Sequence, residues 1–303
     1  MTDRSIDVCI CTFRRPSLSE TLASIAAQEL PDGVTARVIV ADNDHDPIRR
    51  EAIEQEARGL GLCLTYVHAP ARSISIARNA CLDATSAEWI AFIDDDEIAE
   101  PNWIAELLAA AAHADVVFGV SQADYRLPDC PRWMIEGDFH SNRLQGNDPP
   151  WNGYTANVLI RAGWLAQHRL GFALELGQVG GEDTMFFFQA HVAGARFAYA
   201  PLAVVHEDIP PDRATLKWLL RRRYRSGQVH FMVLQRQGRG RVGALVSAMA
   251  KFVYCIAAAP LRSGTPFRAA SLLLRGALHL GVVAGSLGAS PVLEYGEHHG
   301  PRP

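Results

Sequence analysis

Trp89-Ile-Ala-Phe-Ile-Asp94-Asp95-Asp96-Glu97 is the stretch that decides how this 303-residue chain folds. Five mostly apolar residues read as a buried strand, and three consecutive carboxylates follow where that strand would leave its sheet. In open α/β sheets, ligands bind beyond the carboxyl ends of the strands. Three adjacent like charges raise each other's pKa, so the run favours a place where a cation neutralises them. Oxygen ligands at that density suit Mg2+ or Mn2+ bridging to a phosphate. The plainer reading is an acidic turn capping a helix near Pro101, but a cap needs one carboxylate and not three.

Outward from that strand, the first half of the chain alternates strands and helices. Strands are expected at Asp7–Thr12, Ala36–Ala41 and Cys63–Val67, and helices at about Ser17–Glu29, Pro47–Gly59 and Ser73–Thr85. This alternation predicts an α/β fold: a Rossmann-like, mostly parallel sheet flanked by helices, with right-handed crossovers. A helix at about Asn102–His113 and a strand at Asp115–Val120 continue the pattern. Residues 121–151 then show no sustained period and read as a lid or binding loop. A strand at Thr155–Arg161, a helix at Asp183–Ala193 and a short apolar run, Ala203–His206, complete the region.

The formal net charge of −4 hides a division. Residues 1–212 carry 15 Lys+Arg against 31 Asp+Glu, whereas residues 213–293 carry 13 Lys+Arg and no acid. Glu294, Glu297 and Arg302 make up the charge of the tail. The split suggests a second region that meets an anionic surface. That region opens with Pro210-Pro-Asp212, which reads as a proline stop and an Asp N-cap for a helix to about Gln237. Two apolar segments follow, Val242–Leu261 and Ala269–Ser290, near bilayer-spanning length but interrupted by Lys251, Arg275 and His279. Spanning helices, an interfacial hairpin and buried helices all fit. The basic flanks favour contact with an anionic membrane. The expected domains are therefore 1–210, catalytic, and 211–303, a basic helical membrane-associating region. The six cysteines form no CxxC pair, and most lie in apolar runs, as expected of thiols in a reducing compartment. With no apolar signal segment at the N-terminus, the catalytic part is expected at the cytoplasmic face of the membrane.

Other residues fall at informative places. Asp42 closes the second strand in Val38-Ile-Val-Ala-Asp-Asn43, on the same rim as the aspartate run. Arg78 lies within a helix in Ser75-Ile-Ala-Arg-Asn-Ala80; it would suit a diphosphate, though a lone helical Arg is more often solvated. Gly180-Gly181-Glu182-Asp183 sets two carboxylates at a helix N-terminus, where acids are favoured in any case. In Trp151-Asn-Gly-Tyr-Thr-Ala-Asn157, Trp151 offers a face to a sugar ring, with core packing equally in view, and Asn157 a hydrogen-bond pair. The run Arg221-Arg-Arg-Tyr-Arg225 suits a diphosphate or lipid headgroups, or a solvated helix face.

Taken in order, five motifs resemble family 2 glycosyltransferases of the GT-A fold over roughly residues 5–210. They are Val8-Cys-Ile-Cys-Thr-Phe-Arg-Arg-Pro16, Val40-Ala-Asp-Asn43, Ser75-Ile-Ala-Arg-Asn-Ala80, Phe92-Ile-Asp-Asp-Asp96 and Gly181-Glu-Asp183. Val204-Val-His-Glu207 and the Arg-rich helix are similar to bacterial members that build exopolysaccharide of the succinoglycan type on a lipid carrier. The resemblance implies an inverting, metal-dependent transferase using a nucleotide sugar, most simply UDP-linked, and a polyprenyl-diphosphate-linked or polysaccharide acceptor, with no nucleic-acid partner. Thr12, Arg14, Asp42 and Arg78 would bind the donor, with Asp42 at the base. Asp94 would hold the ribose or the metal shell, Asp95 has an open role, and Asp96 would ligate Mn2+ or Mg2+, with His206 completing the shell. Asp183 would be the general base, and Glu182 would orient the acceptor.

Two other classes use similar parts. Sugar-1-phosphate nucleotidyltransferases carry a Gly-rich loop after the first strand, where this chain has Thr12-Phe-Arg-Arg-Pro16. A non-catalytic membrane scaffold could retain a degenerate transferase domain, but every expected carboxylate is present. The G-x-G-x-x-G of a dehydrogenase is absent.

Overall fold

Strands β1 (Arg4–Thr12) and β4 (Trp89–Ile93) show why the sheet forms. In each, successive side chains point to opposite faces. Val8, Ile10, Ala91 and Ile93 enter one apolar cluster, while Cys9, Ile90 and Phe92 enter another on the far side. A sheet covered on both faces needs such continuous apolar runs. The computed structural model describes residues 4–128, 130–144, 151 and 153–293. Glu294, Glu297 and Arg302, and residues 145–150 of the expected loop, lie outside the described residues.

The chain forms two compact units. In the first, the remaining strands are β2 (Val34–Asp42), β3 (Leu64–His68), β5 (Glu97–Ala99), β6 (Val116–Asp124), β7 (Asn157–Arg161) and β8 (Phe197–Asp208). The eight strands lie in the order β3-β2-β1-β4-β7-β6-β8-β5. Pairs β3–β2, β2–β1 and β1–β4 are parallel, whereas β4–β7, β7–β6 and β8–β5 are antiparallel. The α/β class is as expected, but only the N-terminal half of the sheet is parallel. The direction changes at β7, which is inserted between β4 and β6 and runs antiparallel to both. Helices α1 (Leu18–Ala26), α2 (Arg50–Gly59), α3 (Ile74–Ala84), α4 (Trp103–Ala110), α6 (Ala162–His168) and α7 (Glu182–Val192) accompany the sheet. Short strand β5 and the length of β8 are absent from the sequence reading. Three residues with two acids nearby carry no strand period of their own.

The second unit comprises Ala123–His140 and Asp208–Leu293, so it draws one segment from within the first 210 residues. That segment carries α5 (Arg132–Gly137), a helix unannounced by any period in the sequence. Helices α8 (Leu216–Arg236), α9 (Arg241–Ala258) and α10 (Pro266–Ser286) complete the unit. Asp212 is not the N-cap of α8: Thr215 is, its Oγ1 accepting from the Trp218 N–H at 3.2 Å. Helices α8 and α10 touch backbone to backbone at two glycines. A Cβ on Gly227 would lie 1.9 Å from the Leu278 carbonyl oxygen, and one on Gly281 1.9 Å from that of Tyr224. His140 anchors the borrowed segment. Its Nδ1 accepts from the Tyr125 hydroxyl at 3.1 Å, its Nε2 donates to the Arg213 carbonyl at 3.1 Å, and its ring stacks on Trp218. Burial pushes this imidazole down to about 4.

Candidate active site

Parallel pairing aligns the ends of the first strands, so Thr12 lies beside Asp42 and Asp42 beside His68. The Asp94–Asp96 run follows β4 directly and turns into β5. Asp95 is buried and accepts from the Thr12 hydroxyl at 2.7 Å. Burial, against the pull of Arg15 and with the push of Asp96, raises its pKa to about 7. Asp96 pairs with the Arg15 guanidinium, whose Nε also lies 3.6 Å from Asp95. Asp94 sits in a recess, its side chain 45% open. Burial there, opposed by Arg78 and reinforced by Asp96, raises its pKa. Glu97 is buried, and its carboxylate accepts from the Asp94 N–H at 3.1 Å. Its cross-strand partner is Glu207. Burial, then Asp94 and Glu207, push the Glu97 carboxyl well up.

Arg78 faces inward rather than to solvent. Its guanidinium pairs with Glu182 and lies 3.8 Å from Asp94. Burial opposes its charge, but Glu182, Asp94 and Asp183 together hold its pKa above the ordinary arginine value. One buried cation therefore joins the aspartate run to the first turn of α7. Gly180 and Gly181 both take φ of 83°, the left-handed backbone that glycine adopts without strain, and so aim that turn. Glu182 is buried against Arg78, while Asp183 is partly open. Asp183 Oδ1 accepts from the Thr184 N–H at 2.6 Å.

The other expected residues have varied fates. Asp42 is 2% exposed and already engaged: it accepts from the Tyr66 hydroxyl at 2.7 Å and from the Asp44 N–H at 3.0 Å. Arg14 holds Asp44 in a two-pronged pair at 2.5 and 2.9 Å. Asn157 corrects the sequence reading. Its amide accepts from Trp103 Nε1 at 2.8 Å and donates to the Val120 and Ala203 carbonyls, so it serves the core and not a sugar. Trp151 packs edge-on against Phe188. His206 Nε2 lies 3.0 Å from Glu100 Oε1, and this contact stands where a metal bond was expected. Among the described residues, no group of three or more His, Cys, Asp or Glu side chains is arranged to hold a metal. Arg15, Asp44, Tyr66 and Glu97 were missed by sequence reasoning. For Arg15 a signal existed, because a charge cluster as dense as Asp94–Glu97 requires a nearby cation.

Comparison with known proteins gives a consistent result. A family model described as glycosyl transferase family 2 matches residues 7–165. The chain is 42% identical over 301 residues to the succinoglycan biosynthesis protein ExoM of Rhizobium meliloti (strain 1021), covering 96% of each. Among solved structures it resembles the mannosyltransferase PcManGT from Pyrobaculum calidifontis, in complex with GDP-Man and Mn2+. The TM-score is 0.64 at 19% identity, over 94% of this chain and 87% of that one. It also resembles S. aureus TarS 1-349 in complex with UDP-GlcNAc, with a TM-score of 0.54 at 16% identity, over 99% and 98% of the two chains.

Proposed function

The chain belongs to glycosyl transferase family 2, and from that premise we propose that it is an inverting, metal-dependent enzyme moving a sugar from a nucleotide sugar to a lipid-linked or polysaccharide acceptor. That it is a glycosyltransferase related to exopolysaccharide biosynthesis enzymes follows from the family and the ExoM match. The observation that carries the finer reading is Arg78, which gathers Asp94, Glu182 and Asp183 around one buried charge.

The donor set suits a divalent cation because Asp94, Asp95 and Glu97 all have raised pKa values, with Arg15 and Arg78 opposing the rise at Asp94 and Arg15 at Asp95. Mn2+ or Mg2+ commonly takes one or two carboxylates and completes its shell with substrate phosphates and water. Asp96 and Asp94 would hold it, and Asp95, tied to Thr12, would brace the turn. His206 is engaged with Glu100, so its place in that shell would require this contact to open. Bound there, the cation would neutralise charge on the departing nucleotide diphosphate.

Asp183 is the proposed general base, since the residue is half-exposed and, among the described residues, its second oxygen accepts no hydrogen bond while Thr184 holds the first. Glu182 acts through Arg78 and so positions the site from within. One base opposite the leaving group implies inversion. A UDP-sugar is the proposed donor; the solved structures above hold UDP-GlcNAc in one case and GDP-Man in the other, so a nucleotide sugar is the shared feature. The second unit would rest on the cytoplasmic membrane surface, because α9 and α10 are long and apolar yet carry Lys251, Arg275 and His279.

Calorimetric titration of the detergent-solubilised protein with UDP, GDP and CDP tests this, each with and without Mn2+, on wild type and Asp96→Ala. Metal-dependent binding of one nucleotide, lost in the variant, is the expected result. If no nucleotide binds under any condition, the donor site and the mechanism built on it are wrong.

A further inference from the structure

We propose that the helical unit carries a second anion site, a phosphate-binding cavity between α8, α9 and α10 that uses no residue of the carboxylate rim. The cavity has a volume of about 340 Å3. Four cationic or protonatable side chains line it, each from a different part of the unit: His230 from α8, Arg239 from the turn after it, Lys251 from α9 and His279 from α10. None of the described residues lining the cavity is acidic, and residues 213–293, which supply all of them, contain neither Asp nor Glu. The first turn of α9 also borders the space through Gly240 and Gly243, and the opening amides of a helix lack intrahelical partners. Small residues on that wall let an anion approach the backbone closely.

His230, Arg239 and Lys251 are exposed and His279 is half-buried, so all four can reach an anion entering from solvent. Lys251 and His279 sit within the largely apolar helices α9 and α10, and neither side chain forms a hydrogen bond or ion pair among the described residues. Burial and then Lys251 lower the pKa of both His230 and His279; Arg239 adds to the effect on His230, and Arg275 and His230 to that on His279. Like charges that repel at this range become favourable together once a phosphate sits among them. A cavity of a few hundred Å3 accepts a headgroup-sized ligand. The chemistry fits a phosphate ester, which could come from a soluble phosphate or from the headgroup of an anionic lipid.

The test uses the full chain in uncharged detergent. Inorganic phosphate and pyrophosphate are titrated calorimetrically into wild type, Arg239→Ala/Lys251→Ala, and the charge-matched control Arg262→Ala/Arg268→Ala. In a second arm the same three proteins are floated with phosphatidylcholine vesicles, with and without phosphatidylglycerol. The expected result is at least a tenfold weakening in the cavity variant and less than twofold in the control, with unchanged thermal melts. A loss confined to titration identifies a soluble phosphate, and a loss confined to flotation identifies a lipid headgroup. Equal losses in cavity variant and control, or no anion response by wild type in either arm, would overturn the proposal. The site stands or falls independently of the transferase reading.

Discussion

Arg78 is a charge placed where solvent cannot compensate it. On a single helix it reads as a surface residue, yet its side chain is 7% exposed and its partner Glu182 4%. Removing one member of such a pair leaves the other buried and unneutralised, which costs about 3–5 kcal/mol. Arg78→Ala should therefore melt markedly lower and lose most turnover, while Arg78→Lys, which keeps the charge but not the fork, should fall between. Thermal melts and kcat measured together check this, and a stable, fully active Arg78→Ala would show that the pair does not organise the site. His140 makes a different prediction. Its pKa falls from 6.5 in the unfolded chain to about 4 in the fold, so the unfolded state binds more protons between those values. Stability should decline as pH drops from 6.5 towards 4, by on the order of 3 kcal/mol. Denaturant melts across that range should flatten in His140→Gln.

Elements were legible in proportion to their periodicity. The first four strands and three helices were expected within a few residues, because each carries a full apolar stripe or run. Helix α5 and strand β5 were not, being six and three residues long. The contact between α8 and α10 depends on Gly227 and Gly281, whose role no periodicity announces. A side chain at either must push two helices apart or displace a backbone carbonyl. Gly281→Val should destabilise the helical unit by roughly 1–3 kcal/mol or more, as overpacking does. Gly264→Val, in open space, should cost little. Comparing their urea midpoints tests whether the crossing holds the unit together.

For the whole molecule, the exposed surface of α9 matters most. Val242, Val246, Met249, Val253 and Ile256 recur at spacings of four and three and are all exposed. In α9 17% of the residues are buried, against 39% of the most apolar 18-residue stretch of α10, so α9 has the more apolar surface to cover. On the proposed attachment through this face, Val246→Lys/Val253→Lys should lower the membrane-bound fraction while nucleotide binding is retained. Unchanged membrane partitioning would place the attachment elsewhere. In the catalytic half, Asp183→Ala should reduce turnover by at least a hundredfold without unfolding the chain, the scale of a lost general base.

By itself the sequence determined the α/β class, the strand ending in Asp94-Asp95-Asp96, the acidic pair at Glu182-Asp183 and the charge division between the two regions. These are local facts: apolar period, like charges in a row, and composition survive without knowledge of what lies across the fold. Tertiary structure alone decided what each polar group meets. Asn157, expected at the sugar, spends its amide on Trp103 and two carbonyls; Arg78 turns inward to Glu182; His206 meets Glu100; and Thr215 displaces Asp212 as the cap. Partners such as these are separated by up to 106 residues along the chain, and only folding brings a donor to its acceptor.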